Sequence, residues 1–407
     1  MTTKITDDEL ERIVEAWESC GRNTMATART LNFTRSKMEH WIHAARVRGF
    51  LMADVPDEQD DPAPVAAVSL EALRKLLRAG RHGLDGISEA LKTSRGQALD
   101  GIDALRASGY SVQDGAGRYW LDTSPQTAAD SGGEAPVYTS RADNSYTFGF
   151  TSDNHLGSKY SRLDVLDKLF ERFVAVGVDR VFHAGNWIEG EGHDNRHDLT
   201  HHGMHQQCSY LAERWPRAGL VTYAVSGNDH EGWYAKREGI HIGRYAEQCF
   251  KDIGRVDWVD IGYMECDVAL TNANTGVRAR LRVAHPGGGS AYAHSYAPQK
   301  YMESLSSGEK PAAVLLGHWH KLSCNNIRGT WVIQTGCTQD QTPWARQKKL
   351  DYHVGGGICR LVQDPDTGAL TSCTVELIQF FNQTYYGAGR WSPHGNIRPA
   401  RREIENL

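Results

Sequence analysis

Five short blocks in this chain end apolar runs with oxygen and nitrogen donors. Asp153 and His155 lie in SDNHLG, and Asn186 lies in HAGNWIEG. Asn228, Asp229, His230 and Glu231 lie in SGNDHEGWY, His285 in VAHPGGG, and His318 and His320 in LLGHWHK. A single histidine in such a list is more often an ordinary core or surface residue. Five blocks in series, each closing a β-type run, are what a site assembled from strand ends requires. Carboxylate, amide oxygen and imidazole without thiolate suit Mn²⁺, Fe²⁺ or Zn²⁺ rather than a soft cation.

The elements that must carry these blocks alternate. YTFGFTSD, DRVFHAGN and LVTYAVSGN read as strands, with helical stretches near 161–177, 203–217 and 232–249 between or after them. VRARLRVAH, AAVLLGH, TWVIQTGC and GGICRLVQD continue the β pattern. The alternation predicts an α/β fold over 145–390, with sites beyond the carboxyl ends of the strands. Two smaller units precede it. Residues 1–51 carry a capped amphipathic helix, then two helices around the turn Asn32-Phe33-Thr34, as in a helix-turn-helix. The second of these helices bears Arg35, Lys37, Arg46 and Arg48, candidates for nucleic-acid contact. Residues 52–67 are acidic and proline-rich and read as a linker. Residues 68–122 predict helices followed by a hairpin, as in a winged helix, a module that also serves protein contacts. Residues 123–144 read as a second linker, and 391–407 as a polar tail.

At this point the blocks resemble the calcineurin-like metallophosphoesterase superfamily, whose pattern is DxH, GD, GNH followed by an acid, H, and GHxH. HPGGGSAYAHSYAPQKYMESL with GHWHK resembles its bacteriophage and DNA-repair-exonuclease branch. The resemblance implies a two-sheet αββα sandwich and two divalent ions, Mn²⁺ first, with Fe²⁺, Zn²⁺ or Mg²⁺ as alternatives. By that resemblance Asp153, His155 and His320 would hold one metal, and His285 and His318 the other. The asparagine of the third block would join the second metal, and the position of Asn186 would bridge both. His230 would sit beside the phosphate as the catalytic group. Two such ions would activate a water and neutralise charge on the attacked phosphate.

Two departures stand out. The superfamily's second block ends in aspartate, whereas this chain has Asn186, which offers one good oxygen and no charge. Weak occupancy of one metal and low activity follow as expectations, from a degenerate homologue or from an engineered inactivation. The intact remainder of the blocks favours the second. The third block is one residue longer than the pattern. Alignment on Gly-Asn makes Asn228 the ligand, alignment on His-Glu makes it Asp229, and Asn228 is slightly ahead.

Around these blocks, EGEGHDNRHDLTHHGMHQQ concentrates histidines and offers His193 and Arg196 as substrate contacts. Tyr292, His294 and Lys300 follow the His285 glycine loop and could meet a nucleotide. The chain has 407 residues and 18 histidines, with Lys+Arg 45 against Asp+Glu 50. A formal charge of −5 excludes a global basic field, so nucleic-acid contact must be local. No run approaches ~18 apolar residues, which excludes a membrane helix of the usual kind. Eight cysteines without a CxxC pair exclude a zinc ribbon or thioredoxin-type site and suggest reduced thiols. The expectation is a cytoplasmic, metal-dependent nuclease of a bacterial or phage-infected cell, acting on DNA before RNA, with a homo-oligomer open. The alternatives are a catalytically dead DNA-binding regulator or a phosphoprotein phosphatase.

Overall fold

The computed structural model describes residues 6–20, 68–123, 135–289 and 293–381, together with scattered residues between 27 and 50. The chain divides into two units, Met1–Val65 and Ala66–Leu407. In the first unit, helix Asp7–Ser19 starts at a capping box. The Glu9 N–H donates to Thr6 Oγ1 at 3.4 Å, and the Thr6 N–H donates to Glu9 Oε2 at 2.9 Å. Its apolar face buries Leu10, Ile13 and Trp17 with Ala28, Met38, Ile42 and Ala45. Arg35, Arg46 and Arg48 lie outside the described residues; exposed Lys37 stands over the Phe33 and Trp41 rings, 4.8 and 4.5 Å from their centroids.

The second unit begins with a small module. Its order is helix Leu70–Ala79, strand β1 (His82–Gly83), helices Leu84–Leu91 and Arg95–Ala107, then strands β2 (Val112–Gly115) and β3 (Arg118–Leu121). The three strands form one sheet in the order β1-β3-β2, over a core of Leu73, Leu77, Ile87, Ile102 and Leu105. The last helix opens on a second capping box, Ser94 with Gln97.

Two six-stranded sheets follow. One has the order β15 (Leu370–Phe380), β14 (Val354–Gln363), β5 (Ser145–Thr151), β6 (Arg180–Ala184), β7 (Thr222–Ser226), β8 (Trp258–Tyr263). The other has the order β12 (Leu322–Ile327), β13 (Thr330–Thr335), β11 (Ala313–Leu316), β10 (Arg278–Ala284), β9 (Glu265–Thr271), β4 (Val137–Thr139). Phe148, Phe150, Phe182, Leu281, Val283 and Leu315 fill the space between the sheets. Helix Leu163–Val176 and its neighbours cover the outer face of the first sheet through Leu169, Phe173, Trp215 and Phe250. Helix Tyr296–Ser304 covers the second sheet with Met302. The result is an α/β sandwich of two sheets between helices.

Three local features stand out, the first two as departures from the expected outline. Part of the stretch read as the second linker is strand β4, which pairs in parallel with β9. The single helix expected over 232–249 is two, Glu231–Glu238 and Ile242–Asp252, broken at Gly239. Gly239 has φ +63, and a Cβ there would stand 2.6 Å from Leu121 Cδ2 and 2.9 Å from the Asp122 carbonyl of the small module, so only glycine fits. Third, Gly149 in β5 lets the Phe173 ring press onto the strand; a Cβ would meet that ring at 2.7 Å. No described helix is long and apolar enough to cross a membrane.

One half-buried acid makes the fold sensitive to pH. Asp260 on β8 is packed beneath Gly243, and its N–H donates to Glu247 Oε2 at 3.1 Å. Burial, and then the nearby Glu247, push its carboxyl up to about 7, against the pull of Gly262 N–H and Arg244. Between its unfolded value of 3.8 and about 7, the native state binds the extra proton. Stability from this residue is therefore lost as pH rises through that window. Asp260→Asn should raise Tm at pH 8.5, by ~2–4 kcal/mol of stability, and leave it unchanged at pH 4. Paired thermal melts at the two pH values check this; equal shifts at both would refute it.

Candidate metal centre

The donor blocks leave the strand ends through strained turns. Among the described residues twelve non-glycine residues have φ in the left-handed region. Six of them are Asp153, His155, Asn186, His230, His318 and His320, with φ between 47 and 79. Each such residue costs on the order of 1–3 kcal/mol, and the loops hold them by hydrogen bonds across blocks. The Asp153 N–H donates to the Gly185 carbonyl at 2.9 Å, and the His155 N–H to the Asn186 carbonyl at 3.1 Å. Glu231 Oε1 accepts both the Asn186 N–H, at 2.8 Å, and the Gly227 N–H, at 2.7 Å. One buried carboxylate thus ties the second block to the third.

Two clusters form. In the first, Asp153, His155 and His320 converge; in the second, Asp229, His285 and His318 converge. His155 Nε2 lies 3.3 Å from His320 Nε2, which lies 3.3 Å from Asp153 Oδ1. His155 Nδ1 is 3.1 Å from Glu189 Oε2, which keeps the ring proton on Nδ1 and leaves the Nε2 lone pair facing His320. In the second cluster His285 Nδ1 donates to the Ala184 carbonyl at 2.7 Å, so its Nε2 is free to act as a ligand. His318 Nε2 donates to the Gly288 carbonyl at 2.6 Å, which frees Nδ1. These two bare nitrogens face each other at 3.2 Å, and Asp229 adds Oδ1 at 3.3 Å from His285 and Oδ2 at 3.3 Å from His318. Facing lone pairs repel unless a shared proton or a metal cation lies between them. The residues therefore fit a pair of divalent ions, each with two imidazoles and one carboxylate.

Further observations agree. The Asn186 side-chain oxygen is buried without a hydrogen-bond partner among the described residues. Asp153 Oδ2 takes the His318 N–H at 3.0 Å and the Ser152 hydroxyl, which leaves Oδ1 for the first cluster. Glycines make the cradle. A Cβ on Gly317 would stand 2.9 Å from His285 Nδ1 and 3.1 Å from Asp153 Oδ2. The charges answer one another too. Burial lowers the His285 imidazole, but Asp229 and Asp153 outweigh it and raise it to about 9. Burial works against a charged Asp229, and His285 and His318 overcome it, holding the carboxyl far below the usual range.

The stretch 147–350 matches the calcineurin-like phosphoesterase superfamily domain, and the clusters fall within it. The chain belongs to the calcineurin-like phosphoesterase superfamily. No curated protein matches this phosphoesterase. Solved structures similar to it include a novel archaeal phosphodiesterase, 12% identical, covering 57% of this chain and 99% of its own, with TM-score 0.31. A predicted phosphoesterase from Streptococcus pneumoniae TIGR4 is 13% identical, covering 63% and 94%, with TM-score 0.29. Vps29 from Entamoeba histolytica, complexed with Zn²⁺, is 12% identical, covering 57% and 98%, with TM-score 0.28.

Within this phosphoesterase, Asp153, His155, Asp229, His285, His318 and His320 are brought together. Asn228 is not: its amide stands over Gly287, where an added Cβ would lie 3.3 Å from Oδ1, and its carbonyl accepts from Lys236 at 2.9 Å. His230 lies beside the first cluster, its ring centroid 4.4 Å from that of His155 and 4.8 Å from that of Trp233. It donates Nδ1–H to the Glu189 carbonyl at 2.7 Å. Burial, together with His155, holds His230 below its ordinary value. Glu189 was not singled out from the sequence. It lies in the same Asn186 block and engages His155 through its side chain and His230 through its carbonyl. Gln339 and Asn195 donate to its carboxylate at 2.9 and 3.1 Å.

The outlying candidates have other partners. Arg196 pairs with Glu191 at 2.8 Å, exposed His193 with Asp194, and Lys300 with Glu303 at 2.9 Å. His294 lies near His353, ring centroids 5.5 Å apart, and the His353 N–H donates to the His320 carbonyl, so His294 stands near the rim of the first cluster. Tyr292 lies outside the described residues. The histidine-rich stretch disperses: His201 stacks on Tyr210, and His205 bonds the Tyr245 hydroxyl at 3.0 Å.

Metal should stabilise this fold measurably. Mn²⁺ at 100 times its Kd should add about 2.7 kcal/mol and raise Tm, and EDTA should reverse the gain. His318→Ala should lose a large part of the shift in a thermal melt; an unchanged shift would exclude the second cluster as a metal site.

Proposed function

We propose that this phosphoesterase is a two-metal phosphodiesterase acting on nucleic acid, DNA before RNA. The observation that carries the nucleic-acid part is the small module of residues 70–121. Its order of helix, strand, helix, helix and a closing hairpin is that of a winged helix, a form suited to lying along a duplex. The charge pattern directs the contact to its strands. Helix Arg95–Ala107 carries Asp100 and Asp103 besides Arg95 and Arg106, and both arginines are paired with acids, Asp85 for Arg95 and Asp103 and Asp114 for Arg106. Arg81 and Arg118 are exposed at the hairpin, with Arg81 4.1 Å over the Trp120 ring, an arrangement suited to phosphate and base stacking. A phosphate monoesterase would have no evident use for this module.

Two divalent ions in the clusters would polarise the phosphate, lower the pKa of a water and offset charge in the transition state. Asp153, His155 and His320 would hold one, and Asp229, His285 and His318 the other, with Asn186 Oδ1 beside the second. His230 has one ring nitrogen fixed by the Glu189 carbonyl, so Nε2 is the atom at which it holds or passes a proton to the leaving oxygen. Glu189 orients His155, and Glu231 fixes the spacing of the Asn186 and Gly227 loops.

The test is hydrolysis with Mn²⁺ of labelled single- and double-stranded DNA and of bis(p-nitrophenyl) phosphate, beside p-nitrophenyl phosphate and phosphopeptides. Cleavage of the diesters is expected. Turnover of monoesters or phosphopeptides with none of the diesters would sink the proposal. His230→Asn should cut kcat about 10²–10⁴-fold while Mn²⁺ binding persists. The Arg81→Ala, Arg118→Ala double variant should raise KM for DNA and leave bis(p-nitrophenyl) phosphate untouched. Equal effects on both substrates would remove the hairpin from substrate binding.

A further inference from the structure

We propose that Asp229 and Asn186 have exchanged charge: Asp229 is the anionic ligand of the second metal and Asn186 its neutral neighbour, so the centre keeps two ions without a carboxylate at residue 186. The inference deepens the two-metal reading above and rests on it.

Three observations carry it. Both oxygens of Asp229 are in the second cluster, 3.3 Å from His285 Nε2 and 3.3 Å from His318 Nδ1, while Asn228 is turned to Gly287. Asn186 is 2% exposed, and its side-chain oxygen, unpartnered among the described residues, faces the same glycine as Asp229. A Cβ on Gly227 would collide with Asn186 Oδ1 and stand 3.1 Å from Asp229 Oδ1. Glu231 sets the backbone under both residues, since it accepts the Asn186 and Gly227 N–H groups together.

The electrostatics follow. A carboxylate at buried residue 186 would put a second anion against half-buried Asp229, and like charges repel. With the amide there, Asp153 and Asp229 supply one charge to each ion. The centre stays cationic toward a phosphodiester. The longer third block, Gly227-Asn228-Asp229-His230-Glu231, is what brings a carboxylate to this place, and the left-handed turn at His230 follows it directly. Asn186 is then part of a matched pair rather than a lesion.

The pairing is tested by Mn²⁺ content per chain after gel filtration, by titration calorimetry, and by the electron paramagnetic resonance signal of a coupled Mn²⁺ pair, with no substrate present. The parent should hold two ions. Asp229→Asn should weaken the second ion about 100-fold or more and abolish the coupled signal, whereas Asn228→Ala should leave both. Asn186→Asp alone should keep two ions but lower Tm in EDTA, where the two anions face each other without metal. The double variant Asn186→Asp, Asp229→Asn should regain the second ion and the coupled signal. The inference is overturned if Asp229→Asn keeps both ions, if Asn228→Ala loses one, or if the double variant binds no better than Asp229→Asn. Circular dichroism and EDTA melts separate misfolding from ligand loss, because both exchanges are isosteric. A chain that shows this metal pattern and cleaves no nucleic acid would leave the inference standing and remove the proposed substrate.

Discussion

Two pairs of imidazole nitrogens face one another at 3.3 and 3.2 Å, and the protein around them is arranged to keep them there. Each ring has its other nitrogen committed or buried: His155 to Glu189, His285 to the Ala184 carbonyl, His318 to the Gly288 carbonyl. A hydrogen bond to the far nitrogen selects the tautomer, and the tautomer aims the lone pair. Without a metal cation or a shared proton this arrangement is unfavourable, and the surrounding groups favour either positive charge. The carboxylates answer it first: the imidazoles hold buried Asp153 and half-buried Asp229 well below the usual carboxylate range.

The backbone answers it next. Six donor-block residues sit in left-handed conformations that strand or helix would not impose. A strand end in a parallel sheet releases the chain above the sheet, and a left-handed residue there turns the side chain back over the neighbouring strand. β5, β6 and β7 lie side by side, so the Asp153, Asn186 and Asp229 blocks emerge in register. β10 and β11 lie side by side in parallel in the other sheet and release the blocks of His285 and His318. The site is where the ends of the two sheets meet, and the inter-sheet core of Phe148, Phe150, Phe182, Leu281 and Val283 sets their separation.

This also explains what the residues disclosed in one dimension. Strands buried on both faces are continuous apolar runs, so β5, β6, β7, β11 and β13 and the donors ending them were legible. Edge or half-exposed strands were not. LSCNNI of β12 and LTSCTVELIQF of β15 mix polar and apolar residues, since one face of each meets solvent or a loop. The candidate donors were legible in residue type, but which of them converge was not. Asn228 and Asp229 are adjacent, and only the turn closed by Gly232 N–H on the Asp229 carbonyl, at 2.7 Å, decides which one points at His285. Glu189 was invisible for another reason: a glutamate near a metal block carries no signature until His155 is seen beside it. The break at Gly239 was missed because its cause is a neighbour more than a hundred residues earlier, Leu121.

That break has a structural consequence. Helix Glu231–Glu238 begins at His230, beside the first cluster, and ends at Glu238, which Arg74 and Arg78 of the small module both engage. Just beyond it, the Ser111 N–H donates to the Gly239 carbonyl at 2.8 Å, and the His241 N–H donates to the Gly109 carbonyl at 2.7 Å. Eight helical residues span about 12 Å, and a helix this short transmits position as a rigid body. The small module and His230 are therefore two ends of one element. Its first turn holds Glu231, the carboxylate that spaces the Asn186 and Gly227 loops, and its last turn is clamped by two arginines from a separate core. The geometry of the metal centre is thus set from two sides, by the strand ends beneath it and by a helix whose far end the small module holds in place.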